Sequence, residues 1–97
     1  MALVAEHASP ASTGISAVAR LMRLPGTRDA EFALLISDAV QGQGLGRALL
    51  TRLFDVGRDW GLARIVAEIL PDNLRMRRVC ASLGFTFQGR TSATKVL

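Results

Sequence analysis

Residues 30–47 place the strongest constraint on what this chain can fold into. An apolar run, Glu31-Phe32-Ala33-Leu34-Leu35-Ile36, leads into a glycine-rich turn, Gln41-Gly42-Gln43-Gly44-Leu45-Gly46-Arg47. Beyond it, Leu45, Ala48, Leu49, Leu53, Val56 and Trp60 recur at helical spacing, while Arg47, Arg52, Asp55, Arg58 and Asp59 fall mostly outside that stripe. A strand, a glycine turn and a helix start, in that order, aim several backbone N–H groups at one point. That is the local geometry of an anion site, and it predicts a phosphorylated ligand.

The flanking segments fix the order of elements. Ala2 to His7 reads as a short strand, followed by the small, turn-rich Ala8-Ser9-Pro10-Ala11-Ser12-Thr13-Gly14. Ile15 to Leu24 reads as a second strand, because Gly14 and Pro25-Gly26 flank it. Glu31 to Ser37 reads as a third; its unbroken apolar stretch from Phe32 predicts a central strand buried on both faces. The first helix ends at Gly61 and contains Gly57, which costs about 1 kcal/mol relative to Ala in a helix interior. Ile65 to Leu70 is a strand reached by a parallel crossover. Pro71-Asp72-Asn73 opens a second helix capped by Asp72 or Asn73, with Met76, Val79, Cys80 and Leu83 on its apolar face and Gly84 as its stop. One or two short strands follow, with Gly89 between them. The expected architecture is α/β (α+β): a single domain over residues 1–97, a mixed sheet in the order β-β-β-α-β-α-β(-β), with helices on its faces.

Composition narrows the class further. A chain of 97 residues holds one small core. The net charge is +4, and Lys95 is the one lysine among twelve cationic side chains. Arginine suits bidentate phosphate contacts, but no basic run exceeds Arg77-Arg78 and no aromatics interleave with it, so no nucleic-acid partner is expected. The single Cys80 fits a reducing compartment, and the N-terminus lacks the pattern of a signal peptide. No stretch approaches a membrane span, so a cytoplasmic location is expected. His7 is the one histidine, which leaves no Ser-His or Cys-His triad and no multi-histidine metal site. No metal is expected.

Two familiar phosphate motifs fail here. A P-loop needs a Lys-Ser/Thr pair after its second glycine, and none is present. A dinucleotide turn needs G-x-G-x-x-G; from Gly42 the third glycine falls at Arg47, and from Gly44 at Leu49. Gln41-x-x-Gly44-x-Gly46, by contrast, matches the Q/R-x-x-G-x-G/A turn of the GCN5-related N-acetyltransferase family. The resemblance runs from about Ala2 to Phe85: strand-loop-strand-loop-strand, turn-helix, strand, Asn73, helix and Leu83-Gly84-Phe85 stand in the family's order. Glu31-Phe32-Ala33 and Leu70-Pro71-Asp72-Asn73 are similar to segments of the acetyltransferase domain of bacterial protein-lysine acetyltransferases.

The resemblance implies acetyl-CoA as cofactor and an acyl-CoA N-acyltransferase-like fold. It places the pyrophosphate on backbone donors from Gln43 to Arg47, with Gln41 bracing the turn and Gly42, Gly44, Leu45 and Gly46 forming it. Arg47 is either a charge-assisted phosphate contact or an ordinary exposed helix arginine. The pantetheine arm is implied to pair with the backbone of Leu34, Leu35 and Ile36, residues that also read as plain core. Asn73 is implied near the same arm, beside its capping role. Glu31 stands where the family often places the carboxylate that takes the amine proton; Glu68 is the reserve candidate, and a solvated strand-end carboxylate is the alternative. The position of the family's acid tyrosine is Cys80, a residue type that is more often core. Tyrosine is absent from the chain.

A full domain of this family has one further strand and two helices before the Ala2-to-His7 strand. Their absence from this sequence predicts apolar surface on one sheet face and one open edge, and hence a homodimer or a partner protein. The expected function is N-acetyl transfer from acetyl-CoA to an amine, protein lysine among the acceptors. The alternative is a non-catalytic coenzyme-A-binding module or subunit that needs a partner.

Overall fold

The computed structural model describes residues 2–9, 12–36 and 44–97, with side chains from residue 17 onward except 36. Gln41, Gly42 and Gln43 of the expected anion turn lie outside the described residues. The chain runs β1 (Ala2–Ser9), β2 (Ser12–Arg23), β3 (Asp29–Ile36), α1 (Leu45–Asp59), β4 (Arg64–Glu68), α2 (Leu74–Ser82), β5 (Thr86–Gln88) and β6 (Ser92–Val96). Both short C-terminal strands form, and the six strands make one sheet in the order β1-β2-β3-β4-β6-β5. Only β3 and β4 pair in parallel, as the helical crossover between them requires.

The sheet has one covered face. In register, Leu21 stands opposite Phe32, Ala19 opposite Leu34, Ala30 beside Ile65, and Ala67 opposite Ala93. Alternation puts all of these on one side, and they are buried or half-buried. α1 lays Leu49, Leu50, Leu53 and Phe54 on that side, and α2 adds Cys80. Phe85, just past α2, packs edge-on against Phe32 at 5.6 Å between ring centroids and also meets Phe54 at 5.8 Å.

The other face is open among the described residues. Met22 is 55% exposed, Leu35 77% and Val96 69%. This corrects the expectation that β3 is buried on both faces. β3 is interior to the sheet, as its apolar run implied, but α1 and α2 both sit on the Phe32 side. No described element covers Glu31, Ala33 and Leu35.

Gly57 has a packing reason. A Cβ there would lie 2.8 Å from Leu97 Cδ1, 3.3 Å from Ile65 Cδ1 and 3.4 Å from Leu62 Cδ1. The helix interior gives up propensity so that α1 can approach the sheet closely. Gly57→Ala is expected to change stability little, because the propensity gain offsets the crowding and Leu97 can yield. Gly57→Leu should destabilise by about 1–3 kcal/mol through overpacking. Urea denaturation checks this; an unchanged midpoint for Gly57→Leu would refute the close approach.

Candidate functional site

The ladder between β3 and β4 is three residue pairs long: Asp29 with Arg64, Ala30 with Ile65, and Glu31 with Val66. Its start is secured by the Ala63 N–H donating to the Arg28 carbonyl at 2.6 Å and by the Arg64–Asp29 ion pair at 3.2 Å. β4, however, pairs with β6 along its whole length, and the Ile69 N–H continues that contact by donating to the Thr91 carbonyl at 2.8 Å. β4 thus leaves with β6, while β3 stays with β2 as far as Ile36. The strands splay after Glu31.

The splay opens a cleft of about 330 Å³ through the sheet. Phe32, Leu34, Ala67, Ile69 and Met76 line it from the helix-covered side. Glu31 and Glu68 line it from the open side, and Asn73 stands at the start of α2. Along β3 beyond Glu31, half of the backbone groups face β2 and the rest face this gap. They form an unpaired edge inside the sheet, which calls for a partner carrying its own amide groups.

The expected site residues that lie among the described ones take the following places. Glu31 is half-buried and its carboxylate has no ion pair or hydrogen bond among the described residues. Leu34 is half-buried in the cleft; Leu35 points to the open face and does not line it. Ile36 is paired with Ala17 through the backbone, and its side chain lies outside the described set. Asn73 caps α2, its Oδ1 accepting from the Met76 N–H at 3.2 Å, and also lines the cleft. Both roles suggested by the sequence are sterically compatible, because the cap uses only one of the amide's polar atoms.

At the head of α1, Gly44 is the N-cap with φ +76°, a left-handed conformation that favours glycine. The first helical hydrogen bond runs from the Ala48 N–H to the Gly44 carbonyl at 3.1 Å. The N–H groups of Leu45, buried Gly46 and Arg47 precede it, and no side chain caps the end. The first turn holds no acidic residue, so the positive end of the helix dipole is left for an external anion. Arg47 donates from Nη2 to Ser82 Oγ, which itself donates to the Val79 carbonyl at 2.7 Å. It is exposed but not idle: it ties the start of α1 to the end of α2.

Cys80 is placed differently. It is fully buried in the core and does not line the cleft. Burial pushes its thiol up to about 11. This is the position of a packing residue, away from the side chains that line the cleft. Thr91, which the sequence did not single out, donates from its hydroxyl to Glu68 Oε2.

With this geometry in view, the comparisons with known proteins are informative. The model of the Acetyltransferase (GNAT) family matches residues 7–85. An L-methionine sulfoximine/L-methionine sulfone acetyltransferase of Salmonella typhimurium is 45% identical over 56 residues, which are 58% of this chain and 33% of that protein. The acetyltransferase yncA of Salmonella typhimurium, solved with its cofactor acetyl-CoA, superposes with a TM-score of 0.78 at 30% identity, covering 86% of this chain and 58% of that one. The GNAT domain of S. lividans PAT gives a TM-score of 0.76 at 32% identity, with coverages of 86% and 55%. The chain belongs to the acetyltransferase (GNAT) family, a class of acetyl-CoA-dependent N-acetyltransferases. It spans about a third of the curated relative and little more than half of these two structures.

The buried thiol makes a pH prediction. Free in the unfolded chain, the thiol has its ordinary pKa of 9.0; burial pushes it up to about 11 in the folded state. Between these values the native state holds a proton that the unfolded state has lost, so stability falls as pH rises through this window and is unaffected by the group below it. In denaturation at pH 8 to 11, Cys80→Ala should show a shallower decline than the parent chain. The slopes are compared, since the substitution costs packing energy at every pH. Equal slopes would refute the burial.

Proposed function

We propose that this chain is an acetyl-CoA-dependent N-acetyltransferase that moves an acetyl group to a primary amine by direct attack, with Glu31 as the base. The observation that carries this reading is the Glu31 carboxylate, without a partner among the described residues, at the point where β3 and β4 part. The residues present fit coenzyme A. The uncapped start of α1, Gly44 to Arg47, suits the pyrophosphate. The unpaired edge of β3 at Leu34, Leu35 and Ile36 suits the two amides of the pantetheine arm, and Asn73 borders the same space. Gln41, Gly42 and Gln43 belong to this proposed turn by their motif. When bound, acetyl-CoA supplies an activated acetyl thioester.

The two sides of the sheet divide the work. The anion-binding end of α1 lies with the helix layer, so the thioester enters the gap from that side. The amine enters from the open side, where Glu31 stands. Glu31 would take a proton from the incoming ammonium group, directly or through water; the neutral amine would then attack the acetyl thioester that acetyl-CoA supplies, with coenzyme A leaving as thiolate and taking up the proton shed by the new amide nitrogen. The chain's one thiol, Cys80, is buried away from the cleft. Attack by the amine itself therefore fits better than relay through a cysteine.

The curated relative is named for acetylating methionine derivatives, and the GNAT domain of PAT belongs to a different named protein, so the acceptor here is proposed only as an amine, with protein lysine included. The open apolar face at Met22, Leu35 and Val96 supports a second reading: a coenzyme-A-binding subunit that turns over only when a second copy or a partner covers that face. The buried thiol suits a reducing compartment, and this reading places the chain in the cytoplasm. No helix among the described residues is long and apolar enough to cross a membrane.

Calorimetric titration with acetyl-CoA, with the oligomeric state measured in the same buffer, tests the first step. Gly44→Ala should fold with a loss of about 1–2 kcal/mol from the left-handed φ, since its Cβ meets nothing within 4 Å. Gly44→Glu should also fold but lose affinity for acetyl-CoA by roughly a hundredfold, because a carboxylate would face the phosphates. Unchanged affinity would refute the anion site.

The base is tested separately. Glu31→Gln should leave acetyl-CoA affinity intact and lower turnover by roughly 10²–10⁴. Undiminished turnover would remove Glu31 from the mechanism. Binding without turnover in the parent chain would favour the subunit reading.

A further inference from the structure

The end of β4 is gripped by one arginine. Arg77, on α2, donates from Nη1 to the Arg90 carbonyl at 3.1 Å and to the Ile69 carbonyl at 3.4 Å. Its guanidinium lies over the Phe87 ring, 4.4 Å from the centroid. Its own backbone N–H donates to the Asn73 carbonyl at 3.1 Å. This half-buried side chain thus joins α2, the end of the β4–β6 contact, the β5–β6 turn and β5. Among the described residues it makes no ion pair. Its partners suit arginine, since a planar guanidinium can donate to two carbonyls and stack on a ring at once, as an ammonium cannot.

The place of this grip matters for the cleft. Ile69 is 4% exposed and lines the gap. Its N–H donates to the Thr91 carbonyl at 2.8 Å, so both of its backbone polar groups are engaged away from β3. Asn73 and Met76, which also line the gap, stand on the turn of α2 that leads to Arg77. Arg77 itself does not line it.

Across the gap, β3 beyond Glu31 offers unpaired backbone groups. Alternation along β4 turns the backbone groups of Glu68 toward β3, but the ladder between the two strands ends at Val66. A β4 end free to move would pair with β3, because unpaired backbone groups are costly. The gap would then close. The hold on the side of β6 prevents this, and Arg77 carries that hold past the last ladder pair.

We propose that Arg77 is a positioning residue for the cofactor: by tying Ile69 to the β5–β6 turn it keeps β4 off β3 and the gap open for the pantetheine arm. This rests on the placement of acetyl-CoA given above and assigns the residue that maintains its site.

Two readouts test it on the full chain. Arg77→Met keeps an apolar stem and loses both donors. The first readout is amide hydrogen exchange of residues 32–36 without ligand. General loosening of the fold speeds exchange, whereas closure of the gap gives the β3 groups new partners and slows it. Arg77→Met should slow exchange in this segment by roughly threefold or more.

The second readout is equilibrium binding. Coenzyme A is compared with 3′-phosphoadenosine 5′-diphosphate, the part of it that lacks the pantetheine arm. If the open gap is populated about a tenth of the time, apparent affinity for coenzyme A falls about tenfold. Arg77→Met should show that loss, with the armless ligand within about twofold of its affinity for the parent chain. Arg77→Lys retains a charged donor and should lie between the two in both readouts. It decides alone if Arg77→Met does not fold.

Faster or unchanged exchange at residues 32–36, unchanged coenzyme A affinity, or equal losses for the two ligands would each overturn the proposal. Equal losses would mean that Arg77 acts on phosphate as a charge. Failure of either ligand to bind the parent chain is a different result. It sinks the cofactor placement, while the ligand-free exchange still decides whether Arg77 holds the strands apart.

Discussion

The parallel contact between β3 and β4 ends after Glu31, and the rest of the site follows from that early stop. A ladder carried on to Ile36 would satisfy the β3 backbone within the protein and leave no gap. The stop has a cause outside the pair itself. β4 is held by β6 over five residue pairs and then by the Ile69–Thr91 hydrogen bond, so its end follows β6. β3 is held to β2 through Ile36. Two well-paired two-strand units share a short seam and diverge beyond it. The free backbone at the divergence is costly in water and more costly if buried unpaired, which makes it a natural place for an amide-bearing ligand.

Packing on the helix side keeps the seam from closing. Phe32 is fixed by Phe85, and Phe85 by Phe54 on α1. Phe85 is delivered by the stop of α2 at Gly84, whose φ of +92° favours glycine. The aromatic contacts thus link β3, α1 and the end of α2 at the level where the strands part. Arg47 adds a polar tie between the same two helices through Ser82. The start of α1 is therefore positioned by the same groups that position the cleft.

Much of this was legible in the residues. The element order follows from the change of period between the Phe32–Ile36 run and the α1 stripe. Asn73 is a recognisable cap, and Gly44 is recognisable as the residue that permits the turn. Two local patterns met a setting that neither one shows by itself. The apolar run of β3 implied cover on both faces, and Cys80 fell at the place of a proton donor by counting along a helix. Each is a local pattern whose meaning depends on what packs against it: one face of β3 is left open, and the side of α2 that carries Cys80 turns into the core rather than the cleft. Thr91 carried no signal at all. Its partner Glu68 is brought to it by the β4–β6 pairing, a tertiary event that neither segment encodes alone.

The open face and the acceptor cleft are one surface. Alternation along β3 puts Glu31 on the same side as Leu35, and the register of β2 puts Met22 directly across from Glu31. On β4 and β6, Arg64 pairs with Val96, and Glu68 lies on that face four residues further on. A body that covered Met22, Leu35 and Val96 would stand beside both carboxylates. Its shape would limit the acceptors that reach Glu31, and its charge would add to that of Glu68. Apolar burial would supply the binding energy for such a contact, at about 25 cal/mol per Å² of surface removed from water. The carboxylates would limit its composition, since an acidic rim would meet Glu31 and Glu68 as like charges while a basic one would neutralise them. The surface that invites a neighbour is therefore also the one that carries Glu31 and Glu68.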